Sequence, residues 1–340
     1  MASSDGSRTE ELDLFYEEVR RHNSSPLWLQ ERHMVKTVPF LWRYRDFRPL
    51  LMRAAELVPV GRQAERRVLV FANPGLEGRQ SATSTLLANL QIIMPGEVAP
   101  SHWHTASALR LVVEGSGAYT AVEGEKSYMD PGDFVTTPNW TWHDHYNGSD
   151  EPIIWLDGLD VRLVSYFGAQ FQENFVQDQQ PVEKPDGYSS KILGKARPTW
   201  MKRSFSTPPF RYRWQETYGT LLTLKESEGD PFDGVRLEYV NPFNGGPTLP
   251  TYSCEVQLLR PEEKTRSHRH TSTTVYHAIR GEGVTVVGEE RLQWSQGDIF
   301  VVPPWYWHSH ENRLDQDVIL FSINDWPTMK ALGLYREEAG

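Results

Sequence analysis

From about residue 67 onward, apolar and polar positions alternate in short runs separated by glycine and proline. Residues 67–72, 89–94, 109–114, 118–122, 133–137 and 153–156 are rich in branched and aromatic side chains and bounded by turn formers, so each reads as a strand. Short strands at this spacing predict an all-β sandwich or barrel. Upstream the period changes. Residues 8–23 place Leu12, Phe15 and Val19, with neighbouring Leu14, on one side and acids in the first turn, which predicts an amphipathic helix limited by Pro26. A second helical stretch follows Asp46 through Pro49, Leu50, Leu51, Ala54 and Ala55, and a helical tail is expected over 327–338.

The strand-rich text occurs twice. Ser-His-Trp-His-Thr at 101–105 recurs as Ser-His-Arg-His-Thr at 267–271, and Glu-Gly-Ser-Gly at 114–117 as Arg-Gly-Glu-Gly at 280–283. Gly-Asp-Phe-Val at 132–135 recurs as Gly-Asp-Ile-Phe at 297–300, and Trp-His-Asp-His at 142–145 as Trp-His-Ser-His at 307–310. The offsets are 166, 166, 165 and 165 residues, which indicates a duplicated domain. Residues 170–210 are polar and contain Pro181, Pro185, Pro198, Pro208 and Pro209, as a connection between the copies would. The expected organisation is an N-terminal helical arm at 1–60, a first barrel at 61–165, a connecting segment at 166–245, a second barrel at 246–325 and a helical tail at 326–340.

Composition narrows the function. The 340 residues are 39% hydrophobic and 24% charged, the profile of a folded chain and not of a disordered one. A net charge of −10 without basic blocks argues against a nucleic-acid partner. No apolar stretch approaches the length of a membrane span, and the first residues carry no secretory signal pattern, so a cytoplasmic location without a membrane partner is expected. A single cysteine, Cys254, excludes an internal disulfide.

Histidine carries the chemistry. Of eleven histidines, eight form four His-x-His pairs: His102/His104, His143/His145, His268/His270 and His308/His310. On a strand, residues i and i+2 share a face, so each pair aims two imidazoles in one direction, as a metal site requires. In the first copy Gly96 precedes His102-x-His104 by five residues, Gly115 follows, and Gly132, Pro138, His143 and Asn147 complete the series. The second copy has His268, His270, Gly281, Gly297, Pro303, His308 and Asn312. This pattern resembles the two motifs of the cupin superfamily, whose jelly-roll barrels hold a metal in the mouth. Two departures matter. The glutamate of the first motif is replaced by Ala108 or Leu109 in the first copy and by Thr274 in the second; the glycine of the second motif is Trp140 and Trp305. Three neutral imidazoles without a protein anion leave a divalent ion its charge and open positions, which suits a bidentate anionic substrate plus a small third ligand. Zinc-assisted hydrolysis is compatible with the same set.

A closer resemblance follows from the runs around Asn73-Pro74-Gly75-Leu76, Gly96 to His102, Ser107 to Arg110, Gly117 to Val122, Trp140 to His145 and Trp155 to Asp160, extending to Leu332-Gly333-Leu334-Tyr335-Arg336. Over nearly the whole chain the sequence resembles gentisate and salicylate 1,2-dioxygenases. The resemblance implies a bicupin of two antiparallel jelly-roll barrels, assembled as a homo-oligomer of the tetramer type, with Fe(II) as cofactor and O₂ as co-substrate. It implies opening of an aromatic ring between the carboxylate-bearing and hydroxyl-bearing carbons. Position by position it places His102, His104 and His143 on the iron, and Arg110 and Arg66 on the substrate carboxylate or the oxygen intermediate. His145 falls beside the oxygen site, and Asp157 and Gln91 on polar positions of the pocket. Arg110 lies six residues beyond His104, an even offset that lets one strand face present both. A structural pairing of Arg110 with Glu114, or a purely backbone-satisfying Asp157, is the alternative. Trp103, Ala106 and Leu87 replace residues common in the family, so the small aromatic hydroxy-acid could be gentisate, a 5-substituted salicylate such as 5-nitrosalicylate, or 1-hydroxy-2-naphthoate. The second copy has Tyr276 where the first has Arg110, so it is expected to be a degenerate partner. A non-oxidative hydrolase or isomerase, or a ligand-binding bicupin, are the competing readings.

Overall fold

The computed structural model describes residues 4–29, 37–60, 64–193, 198–200, 207–227 and 229–340. Residues up to Lys36 form one compact unit and those from Thr37 another. In the first, the helix Ser4–Arg21 exposes Leu12, Leu14 and Phe15. The expected start of the first barrel at 61 lies outside the described residues.

From Thr37 on, two antiparallel barrels follow one another, each made of a six-stranded and a five-stranded sheet. In the first barrel, Leu87–Ile93, Ile153–Leu159, Ala108–Glu114 and Phe134–Thr137 are successive neighbours, facing a sheet in which Val98–His104, His143–Asn147, Ala118–Val122 and Glu125–Met129 are neighbours. The second barrel repeats this with Ser253–Leu259, Val318–Asn324, Thr274–Arg280 and Ile299–Val302 facing His268–His270, His308–Glu311, Glu282–Val287 and Glu290–Ser295. The strands alternate as expected. One face of the six-stranded sheets supplies an apolar core shared by the two barrels, where Phe134 and Phe321 meet with ring centroids 5.7 Å apart. The other face lines each barrel, with Val112, Val135 and Trp155 in the first and Phe300, Val302 and Leu320 in the second.

The edges of the sheets depart from the expected domain limits. Phe40–Trp42, from the presumed arm, pairs with Ile299–Val302 of the second barrel. Arg211–Tyr212, from the presumed connection, pairs with Phe134–Thr137 of the first. A helix follows each strand, Tyr44–Leu57 and Trp214–Leu224. The Tyr44 amide donates to Asp298 Oδ1 at 2.9 Å and the Trp214 amide to Asp133 Oδ1 at 2.7 Å. Both aromatic rings lie on a glycine: a Cβ on Gly297 would come within 2.8 Å of Tyr44, and one on Gly132 within 2.6 Å of Trp214. Pro39-Phe40-Leu41-Trp42-Arg43-Tyr44 and Pro209-Phe210-Arg211-Tyr212-Arg213-Trp214 are thus an additional part of the duplication, and each docks on the other copy's Gly-Asp corner.

Three further segments change category. Gln172–Asn174 and Val235–Glu238, inside 166–245, are sheet strands, the latter paired with Ser253–Leu259, so the second barrel begins before 246. The C-terminal tail is helical only over Trp326–Ala331; Gly333, at φ +71°, turns the chain, and Glu337–Ala339 pairs with His268–His270. The left-handed glycine just past the helix ends it where periodicity alone would carry it on.

Candidate active site

Strand alternation delivers the first histidine triad. His102 and His104 project from one strand face and His143 from its neighbour, in register with His102. Their candidate ligand atoms all lie within 4.8 Å of one another, and the ring centroids are 4.6 to 5.3 Å apart. Backbone carbonyls orient two rings: His104 Nδ1 donates to Ala106 O at 2.7 Å and His143 Nδ1 to Thr141 O at 3.0 Å. Both Nε2 lone pairs are then free, and that of His143 is buried without a partner. His102 differs. Arg66 Nη1 lies 2.8 Å from its Nδ1, and Glu65 Oε2 lies 3.7 Å from the same nitrogen. Ligation through Nε2 requires the ring proton on Nδ1, for which Glu65 is the acceptor at hand.

Burial is the main force on these rings. It pulls His102 down to about 2, with Arg66 adding to the effect, and His104 down to about 4. Burial likewise takes His143 and His145 well below the ordinary histidine range. All four are neutral at pH 7, the form that binds a metal. The triad therefore fits a divalent ion: three neutral imidazoles, two of them oriented through Nδ1, an orphaned Nε2 on His143 and no protein carboxylate among the grouped ligands.

Two guanidiniums share this interior. Arg110, 3% exposed, donates from Nη1 to Thr137 Oγ1 at 2.5 Å and places Nε 3.5 Å from Asp157 Oδ1 across the strand pair. Glu114 is not its partner; that carboxylate binds Arg48 and Tyr44 instead. Burial pushes Asp157 up to about 6 against the pull of Arg110 and Arg66, and lowers Arg66 to about 9. Gln91 is buried opposite Trp155, and Asn89 opposite Asp157. Gln91 Nε2 and Asn89 Oδ1 are buried without a hydrogen-bond partner, and Arg110 Nε and Asp157 Oδ1 face each other only at 3.5 Å. Native interiors seldom leave so many polar atoms unpaired, and together they are what a polar ligand would satisfy. His145 is also fully buried, its ring 5.9 Å from that of His143 and 5.2 Å from that of Trp155.

All the residues singled out from the sequence in the first copy thus line one interior. Asn89, Trp155, Thr137 and Glu65 were missed. Asn89 had a signal, because it lies two residues before Gln91 and so on the same face. Trp103, between two inward histidines, points away and packs against Trp140 at 5.0 Å. Trp140, in the motif's glycine position, takes φ +64°, and Trp305 takes +66°. A left-handed non-glycine residue costs about 1–2 kcal/mol. The Trp140 amide donates to His104 O at 3.0 Å and the Trp305 amide to His270 O at 2.7 Å, so this conformation ties each turn to a ligand strand.

Residues 89–159 and 255–324 match the cupin domain model, so the molecule is a bicupin. The chain is 43% identical over 351 residues to the 5-aminosalicylate 1,2-dioxygenase of Comamonas sp, covering 100% of this chain and 93% of that protein. It is 41% identical to gentisate 1,2-dioxygenase 1 of Aquipseudomonas alcaligenes, covering 97% and 96%. The salicylate 1,2-dioxygenase of Pseudoaminobacter salicylatoxidans, in a structure with gentisate, superposes with a TM-score of 0.89 at 32% identity, over 97% of this chain and 94% of that one. The chain belongs to the gentisate and salicylate 1,2-dioxygenase family of ring-cleaving bicupins. Among the described residues no helix is long and apolar enough to cross a membrane.

Proposed function

We propose that the first barrel holds Fe(II) through His102, His104 and His143 and uses O₂ to open gentisate or a 5-substituted salicylate between its carboxylate-bearing and hydroxyl-bearing carbons. The observation that carries this is a buried histidine triad sharing its interior with two guanidiniums and a single buried carboxylate. Bound iron supplies an electron donor and a common attachment point for the substrate oxygens and O₂. Arg110 offers its planar fork to the substrate carboxylate, and Asp157 holds that fork in place from across the strand pair. Arg66, at the mouth, adds a second positive charge for the anion. Gln91 and Asn89 line the wall with an amide donor and an amide acceptor suited to a polar ring substituent. His145 holds its Nε2 toward the interior as a hydrogen-bonding partner for the reacting oxygen. The apolar layer beneath, with Val112, Val135 and Ile153, keeps bulk water from the ring.

Related proteins acting on 5-aminosalicylate and gentisate support a substrate with a polar group at position 5. The reading also includes a cytoplasmic homo-oligomer of tetramer type, in which the exposed apolar side of Ser4–Arg21 meets another copy; mass by light scattering at micromolar concentration tests it, and a monomer contradicts it. The reaction is tested by turnover under ¹⁸O₂ with gentisate and 5-aminosalicylate. The expected product is a ring-opened acid carrying both labelled atoms, less exchange with water. A hydroxylated intact ring, or a product formed without O₂ uptake, would overturn the proposal.

A further inference from the structure

Each barrel has a fourth inward histidine held by a threonine directly across the strand ladder. Thr120 Oγ1 lies 2.9 Å from His145 Nδ1, and Thr285 Oγ1 lies 2.9 Å from His310 Nδ1. All four residues are fully buried, and both Nε2 atoms are without a partner. A hydroxyl has one proton to donate and lone pairs to accept with, so whatever else touches it decides which ring nitrogen keeps the imidazole proton. Here the barrels differ. In the second, Trp294 Nε1 donates to Thr285 Oγ1 at 3.0 Å. An indole N–H can only donate, so His310 Nδ1 is the acceptor left for the Thr285 proton among the described residues, and His310 carries its own proton on Nε2.

In the first barrel the corresponding ladder position holds Met129, whose sulfur is 3.8 Å from Thr120 Oγ1. A thioether can only accept. The Thr120 proton therefore has two destinations. Pointed at His145 Nδ1, it leaves the ring proton on Nε2; pointed at the sulfur, it frees the hydroxyl oxygen to accept from Nδ1–H and leaves Nε2 as a lone pair. The hydrogen bond to sulfur is the weaker one, but the second arrangement makes two bonds where the first makes one, so the two compete.

We infer that Thr120 and Met129 act as a relay that lets His145 exchange between its two neutral tautomers, whereas Thr285 and Trp294 hold His310 in one. Thr120 is thus a positioning residue. A site that first receives a phenolic O–H and later an oxygen bearing negative charge meets an acceptor and then a donor from the same ring, with no change in the ring's charge. The tautomer difference stands on geometry alone; only its use in turnover rests on the proposed ring cleavage in the first barrel.

The test is ¹⁵N NMR of the ring nitrogens in the full chain loaded with zinc, the two signals assigned with Thr120→Val and Thr285→Val. For His310 the two nitrogens should be fully separated, with Nε2 protonated. For His145 they should be drawn toward each other, and Met129→Leu, which removes the sulfur at similar volume, should separate them into the His310 pattern. A His145 held at either limit, or one unmoved by Met129→Leu, overturns the relay. In turnover, Thr120→Val should lower kcat about 10–100-fold, the usual cost of losing an orienting partner, with KM unchanged and Thr120→Ser restoring most of the rate. An equal loss from Thr285→Val would make the effect one of packing and overturn the assigned role.

Discussion

The two barrels share a ladder and a histidine set and differ in buried charge. The second triad, His268, His270 and His308, is as compact as the first, with His270 oriented by Ser272 O at 2.9 Å and His308 by Tyr306 O at 3.1 Å. Around it, however, Tyr276 occupies the ladder position of Arg110, Ser322 that of Asp157 and Glu255 that of Asn89. The guanidinium there, that of Arg236, is a third exposed and bound by both Asp233 and Glu255, and Glu255 also accepts from Asn324 at 2.9 Å. The first interior therefore sets Arg110 and Arg66 against the buried Asp157 and the half-exposed Glu65, 3.9 Å from Arg66, and the second sets Arg236 against two buried carboxylates. A dication is tolerated in either. On the proposed reading an anionic substrate arriving with it finds an open fork only in the first, because the Arg236 guanidinium is already bound by two carboxylates. Duplication kept the histidine geometry twice and the buried Arg110–Asp157 pair once.

The largest effect expected from breaking this contrast is at Arg110. Arg110→Gln should reduce kcat/KM by on the order of 10²-fold or more, as loss of an electrostatic stabiliser does. Arg110→Lys should stay impaired because a point charge does not reproduce the fork. A full-rate Arg110→Gln enzyme in steady-state assays would remove charge as the distinction between the barrels. A smaller effect, about tenfold, is expected for Asp157→Asn, which keeps the shape but not the charge that holds Arg110.

Asp157 also sets a pH dependence. Its carboxyl titrates near 6, so turnover should fall on the acid side through that value as the counter-charge is lost, and Asp157→Asn should abolish that limb of the pH–rate profile. Stability responds in the opposite sense. A carboxyl raised from about 4 to about 6 on folding binds its proton more tightly in the native state, so its contribution is present below pH 4 and is lost as pH rises through 6.

The smallest effects concern the exchanged strand-helix segments. Asp298→Ala and Asp133→Ala each strand a helix-start amide, and each should cost about 1–3 kcal/mol in urea unfolding. Similar losses in both barrels would confirm the reciprocal docking; a loss in one alone would break the symmetry.

Much of this is legible in the sequence. His-x-His pairs at i and i+2 can share a face only on strands, and four anchors at 165–166 residues fix a duplicated barrel. What was not legible has physical reasons. Phe40–Trp42 and Arg211–Tyr212 are too short to show a period, so their crossing to the opposite barrel could not be read from them. The counter-ions of the second barrel were hidden by a slip. Arg236 lies opposite Gln257 as Val68 lies opposite Gln91, two residues off the spacing that relates the histidines, so no anchor pointed to it. Met129 and Trp294 looked like ordinary core residues, and only the threonine between them and a histidine gives them different consequences.

The division of labour is tested most directly by emptying one triad at a time in the same chain and measuring O₂ uptake with gentisate together with metal content. His102→Ala/His143→Ala should abolish uptake in a folded protein, because one imidazole cannot retain the ion. His268→Ala/His308→Ala should leave uptake near the parent rate, whether or not that barrel loses a metal of its own. The contrary result, a folded second-barrel variant that is inactive beside a first-barrel variant that still consumes O₂, would place the chemistry in the other barrel.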